Sequence, residues 1–150
     1  MPYDNLRKGR YSEQQRAYFV TSVLAERKRR YFANFTFARL VVEEMRALHD
    51  DEAVSSLAWV IMPDHIHWLF QLGDGMDLSA AVKRFKARSA HRVNDYLHRQ
   101  GALWQKSFYD HALRDGEDVR GIARYIVANP LRAGLVEHIG DYPLWDAIWL

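Results

Sequence analysis

Aromatic and β-branched residues crowd Ala17–Val23 (AYFVTSV), a composition that predicts a strand. The basic run Arg27–Arg30 that follows reads as a loop. Phe37, Leu40, Val41, Met45 and Leu48 then recur at helical spacing behind Thr36, a candidate cap, and predict a helix over Phe37–His49. Val54–Met62 reads as a second strand, Pro63-Asp64 as a tight turn and His65–Leu72 as the returning third strand. Beyond the Gly73-Asp74-Gly75 loop, Leu78, Val82, Phe85, Val93 and Leu97 mark the buried stripe of a long helix over Leu78–His98, expected to end by Gly101. Ser107–Arg114 reads as a fourth strand. A last helix, capped by Asp115, carries Glu117 and Asp118 in its first turn, where the macrodipole favours acids, and stops at Pro130. Tyr142–Leu150, with Trp145 and Trp149, is a short apolar tail that either packs on the body or covers the site.

The order β-α-β-β-α-β followed by a helix predicts an α+β fold: a ferredoxin-like antiparallel sheet with two helices on one face. With 150 residues, no repeat and no low-complexity linker, residues 1–150 are expected to form a single domain. The fold hosts many activities and does not choose among them.

Composition narrows the chemistry. There is no cysteine, so disulfides, thiolate metal sites and cysteine nucleophiles are excluded. No apolar run reaches the ~20 residues that cross a bilayer, and Met1–Arg10 is polar and basic, so a cytoplasmic protein without membrane contact is expected. Net charge is only +2, but it is unevenly placed. Eight basic residues between Arg7 and Arg30 meet two acids, and Lys83, Arg84, Lys86, Arg88, Arg92 and Arg99 meet Asp95 alone. Two basic segments on a balanced body point modestly to a polyanion, against the plainer reading of two solvated faces.

The most informative stretch is MPDHIHWLF, Met62 to Phe70. Strand side chains alternate, so Ile66, Trp68, Phe70 and Leu72 form an apolar face that should pack on the helices. His65, His67, Leu69 and Gln71 share the other face. Histidines at i and i+2 stand close enough to bind one metal ion. A bare His-x-His is more often a hydrogen-bonded pair on a sheet. The preceding turn and the apolar strand raise the metal reading, and a zinc hydrolase stays open.

On the last helix, Val119, Ile122, Ala123, Ile126 and Val127 form an apolar stripe at 100° per residue. Asp118, Tyr125 and Asn129 lie together on its edge, with Gly121 one turn before the tyrosine. An interior glycine costs about 1 kcal/mol relative to alanine, and space for a ligand beside the hydroxyl would justify it. The ordinary alternative is a tyrosine at a helix edge with its hydroxyl in water.

Two segments resemble the signatures of HUH single-tyrosine transposases, in particular the REP-associated tyrosine transposase branch. They are MPDHIHWLF, with His65 and His67 as the HUH pair around Ile66, and LWQKSFYDHALRDGEDVRGIARYIVANPLRAGLV from Leu103 to Val136. VKRFKARSAHRVN, Val82 to Asn94, is similar to the family's basic helix. Together they cover most of the chain in the family's order. The resemblance implies a divalent ion, Mg2+ or Mn2+, on His65 and His67, with Asn129 at the position of the third protein ligand, which is often glutamine in related enzymes. It implies Tyr125 as nucleophile, giving a 5′-phosphotyrosine and a free 3′-OH without ATP. The implied activity is sequence- and hairpin-dependent cleavage and rejoining of single-stranded DNA carrying palindromic repeats. Lys83, Arg84, Lys86, Arg88 and Arg92 would contact phosphates, and Arg7, Lys8, Arg10 and Tyr11 the bases or backbone beside the hairpin. Trp104 or Phe108 could stack on a base, although a core role suits both better. The protein would act as a monomer or homodimer.

Three other readings compete. A non-catalytic single-stranded nucleic-acid-binding module would need the basic helix but not His65, His67 or Tyr125. A replication-initiator or relaxase-like nickase fits poorly with so short a chain. A zinc hydrolase lacks another clear ligand near the pair, since the position of His111 in the fourth strand does not establish proximity.

Overall fold

The computed structural model describes residues 15–149. Its strands are β1 (Ala17–Val23), β2 (Val54–Met62), β3 (His65–Leu72), β4 (Tyr109–Ala112) and β5 (Trp145–Ala147). Its helices are α1 (Phe35–Asp50), α2 (Leu78–Leu97), α3 (Val119–Val127) and the single turn α4 (Asn129–Arg132). The strands form one sheet in the order β4-β1-β3-β2-β5 with every neighbouring pair antiparallel. This is the expected β-α-β-β-α-β arrangement with a fifth strand added at the β2 edge. No helix among the described residues is long and apolar enough to cross a membrane.

The alternation along β3 divides the molecule as its sequence predicts. Ile66, Trp68, Phe70 and Leu72 enter the main core with Ala38, Val41 and Met45 of α1 and Val82, Phe85 and Val93 of α2. Complete burial of each such large side chain is worth about 1.5–3 kcal/mol. Leu69, on the opposite face, joins a second cluster with Ala58, Val60 and Met62 of β2, Ala147 of β5 and Ala123 and Ile126 of α3. A bulge between Ser56 and Ala58 resets the register of β2 so that Val60 and Met62 stand opposite His67 and His65.

Several element boundaries differ from expectation. Asn34, rather than Thr36, caps α1, because its side chain accepts from the backbone N–H groups of Thr36 and Phe37. Helix α2 stops where His98 turns left-handed at φ 55°, three residues before Gly101. β4 is shorter than Ser107–Arg114. Asp118, not Asp115, caps α3 by accepting from Gly121 N–H. The apolar tail packs on the body: Tyr142 Oη donates to the Ile61 carbonyl at 2.6 Å, Ile61 N–H donates to Leu144, and β5 pairs with β2.

Candidate functional site

The register of the sheet assembles the site. Thr21 of β1 stands opposite His67, and Val23 opposite His65. On the other side of β1, Tyr109 stands opposite Thr21 and His111 opposite Phe19. Residues directly opposite share a face, so Tyr109, His111, Phe19, Thr21, His65, His67 and Leu69 all belong to the face that α3 crosses.

Each histidine is held from behind. His65 Nδ1 lies 2.7 Å from Asp64 Oδ1. Asp64 also accepts from Arg27 Nε at 2.8 Å. Burial acts to raise the Asp64 pKa, but the hydrogen bonds from His65 and Arg27 outweigh it and hold the carboxyl below its ordinary range. An ionised carboxylate can only accept, so His65 Nδ1 carries the proton of that bond and Nε2 is the ring nitrogen left for another partner. His67 Nδ1 lies 2.7 Å from Thr21 Oγ1. The two rings are 4.8 Å apart between centroids, and Phe19 meets the His67 ring edge-on at 5.4 Å. Burial first, then the charges of His65 and Arg132, push the His67 pKa down to about 4. His67 is therefore neutral near pH 7 and able to donate its remaining lone pair to a cation.

Helix α3 turns its inner stripe, Ala123 and Ile126, onto Leu69 and Val60. Its two flanks then face different strands. Arg120, Arg124 and Val127 border a hollow with Ala147 and Trp149. Gly121, Ile122 and Tyr125 border another with Phe19, Glu117 and Asp118. Tyr125 is thus on the flank toward β1 and the His67 ring, and its side chain is 56% exposed. Asn129 begins α4, four residues beyond Tyr125, half-buried, and its amide engages no hydrogen-bond partner among the described residues. A Cβ at Gly121 would meet the Asp118 carboxylate that caps the helix, and Gly121 also borders the hollow beside Tyr125.

The basic helix is partly committed. Lys86 Nζ donates to the carbonyls of Gln105 and Ser107 at 2.8 and 2.9 Å and lies over the Phe108 ring. Arg84 pairs with Asp51, and Arg92 with Glu43 and Glu44. Lys83 and Arg88 are exposed and have no partner among the described residues. Exposed pairs such as Arg84–Asp51 are worth about 0–1 kcal/mol and exchange readily for a phosphate. Trp104 is core, with its indole N–H donating to Ser89. Arg7, Lys8, Arg10 and Tyr11 lie outside the described residues.

Sequence reasoning missed Thr21, Arg27 and Asp64 as the supports of the two rings. It also missed Arg132, which reaches back over Tyr125, and the His111–Glu117 pair at 2.9 Å on the rim. The signal for Thr21 was its place on the neighbouring strand, legible only once the register is known. The signal for Arg132 was its spacing of seven from Tyr125.

No group of three or more histidine, aspartate or glutamate side chains among the described residues could hold a metal ion.

Residues 14–129 match the model of the IS200-like transposases. The chain is 29% identical over 140 residues to a REP-associated tyrosine transposase of Haemophilus influenzae, covering 84% of this chain and 76% of that one. It is 33% identical over 88 residues to a REP-associated tyrosine transposase of Escherichia coli K12, spanning 57% of this chain and half of that protein. Among solved structures, a REP-associated tyrosine transposase bound to a REP hairpin superposes with a TM-score of 0.75 at 26% identity, covering 90% of this chain and 78% of the other. A transposase crystal structure from Deinococcus radiodurans shares the fold, with a TM-score of 0.53 at 18% identity over 79% of this chain and 92% of the other. By its sequence match, the chain belongs to the IS200-like transposase family, and within it the chain is similar to REP-associated tyrosine transposases.

Proposed function

We propose that this chain cuts and rejoins single-stranded DNA beside a hairpin, through a covalent bond between Tyr125 and a 5′-phosphate. His65, His67 and Asn129 would hold a divalent ion, Mg2+ or Mn2+. The observation that carries the reading is the pair of imidazoles on one sheet face, each with Nδ1 engaged, under a helix flank that presents Tyr125. Metal-binding histidines characteristically engage their second nitrogen with a carboxylate or another oxygen in this manner, so the residues present fit such an ion. A bound divalent ion would neutralise charge on a non-bridging phosphate oxygen.

The chain's own residues do the remainder. Tyr125 supplies the attacking oxygen. As its bond to phosphorus forms, the bond to the 3′-oxygen breaks. The phenol loses a proton and the departing oxygen gains one, and the reverse exchange rejoins the strand. The bond energy is retained, so no nucleotide cofactor is needed. Lys83 and Arg88 are free to meet backbone phosphates. The relative solved with a REP hairpin supports a hairpin partner. Because α3 packs on its own sheet, one chain supplies both the histidines and the tyrosine, which favours action as a monomer. A DNA substrate fits a cytoplasmic site of action.

The test is incubation with hairpin-bearing single-stranded DNA and Mn2+, read on a denaturing protein gel. Wild type should form a covalent complex, whereas His65→Ala and His67→Ala should bind the hairpin normally and form none. Full covalent yield with a chelator present would overturn the metal assignment. A hairpin bound without any cleavage would favour the non-catalytic binding module.

A further inference from the structure

Tyr125 is the candidate nucleophile, yet it is more exposed than covered. An exposed tyrosine ordinarily samples several rotamers, whereas in-line attack needs its oxygen within about 3–3.5 Å of phosphorus in one orientation. One side chain restrains it. The Arg132 guanidinium lies over the Tyr125 ring, with Cζ 3.8 Å from the centroid. Its Nη2 donates to the Tyr125 carbonyl at 2.7 Å. The local chain path makes this reach possible. Helix α3 ends at Val127, Pro130 sits within the single turn α4, and Gly134 closes that turn in the left-handed region at φ 74°. Arg132 thereby stands seven residues beyond Tyr125, on the same side of the chain, with its long side chain directed back toward α3.

We infer that Arg132 is a positioning residue for Tyr125, and that the guanidinium N–H groups not used in this contact receive the phosphate that Tyr125 attacks. This inference rests on the reading of Tyr125 as nucleophile. Apart from Nη2, the guanidinium donors have no hydrogen-bond partner among the described residues. A guanidinium can stack face-on against a ring and grip an anion through its edge at the same time. An ammonium offers only a point charge. The competing structural role is that Arg132 merely satisfies a carbonyl near the end of α3.

The experiment compares Arg132→Lys and Arg132→Ala with wild type on hairpin single-stranded DNA in Mn2+. Hairpin affinity and single-turnover cleavage are measured separately, with a thermal melt to check folding. A second substrate carries a methylphosphonate at the scissile position, which removes one negative charge. Both variants should remain folded and bind the hairpin within about threefold of wild type. Cleavage should fall at least about tenfold for lysine and about a hundredfold or more for alanine, the range seen when one transition-state donor is removed. The alanine penalty should shrink on the methylphosphonate, and guanidinium ion should partly restore cleavage to Arg132→Ala. Cleavage by both variants at the wild-type rate, or an equal loss on both substrates without rescue, would overturn the inference. If wild type forms an adduct on Tyr125 while these results fail, only the role of Arg132 is lost. If wild type forms no adduct on Tyr125, the reading of the nucleophile itself fails.

Discussion

Thr21 and His67 face each other across β1 and β3, and the threonine hydroxyl holds His67 Nδ1 at 2.7 Å. The imidazole is fixed in orientation by a residue of similar shape to valine. Thr21→Val should leave the sheet intact and release the ring. Loss of such a supporting partner typically weakens metal affinity by about 10–100-fold. Manganese titration, followed by calorimetry or by cleavage rate, should show a rise of that order in the apparent Kd. An unchanged Kd would mean that Thr21 does not support the metal site.

Stability should depend on His67 in acid. Its pKa is about 4 in the folded protein against 6.5 for a free histidine, so below pH 6.5 the unfolded chain binds more protons at this position. Stability then rises with pH across that window and falls as pH drops from 6.5 toward 4. The full shift corresponds to roughly 3 kcal/mol, an upper bound for a ring that retains some solvent contact. Urea melts of metal-free protein between pH 7 and 4 should show a shallower decline for His67→Gln than for wild type. Parallel declines would place the acid sensitivity elsewhere.

The basic helix should divide into two roles. Lys83 and Arg88 point to solvent, whereas Lys86 ties the segment before β4 to α2. Replacing Lys83 and Arg88 with glutamine removes two candidate phosphate contacts and should lower the log–log salt slope of single-stranded DNA binding by about 1.4. Lys86→Met should change that slope little and instead cost about 1 kcal/mol of stability, because the partly buried Gln105 carbonyl and the exposed Ser107 carbonyl lose their donor. A large slope change with Lys86→Met alone would reverse the assignment.

The main elements were legible because their signals are local. Period two along β3 assigned Ile66, Trp68, Phe70 and Leu72 to the main core, and period 3.6 found α1, α2 and the inner stripe of α3. The caps were displaced because several capping side chains compete near each helix start. Asn34 and Asp118 prevailed because their side chains accept from backbone N–H groups of the first turn. The strand Trp145–Ala147 was not legible as a strand, since only pairing with β2 gives its three residues a conformation. His65, His67, Tyr125 and Asn129 stood out through motif spacing. Thr21, Asp64 and Arg132 did not, because their roles arise from register and chain reversal. Tyr109, within the strand expected over Ser107–Arg114, is 65% exposed on the histidine-bearing face, two strands from His67. At about 4.8 Å between strands, it stands roughly 10 Å away across the sheet, which makes it a real geometric rival to Tyr125.

That rivalry makes the identity of the covalently bound tyrosine the most direct test of the account. Hairpin-bearing single-stranded DNA, labelled on the 5′-phosphate side of the cleavage point, is incubated with Mn2+ and protein, and the trapped complex is digested and mapped. The label should reside on the peptide containing Tyr125. Tyr125→Phe, which keeps the ring and removes one oxygen, should bind the hairpin as wild type does and carry no label, while Tyr109→Phe should remain labelled. Label on the Tyr109 peptide, or a persistent covalent complex in Tyr125→Phe, would contradict the assignment of the nucleophile.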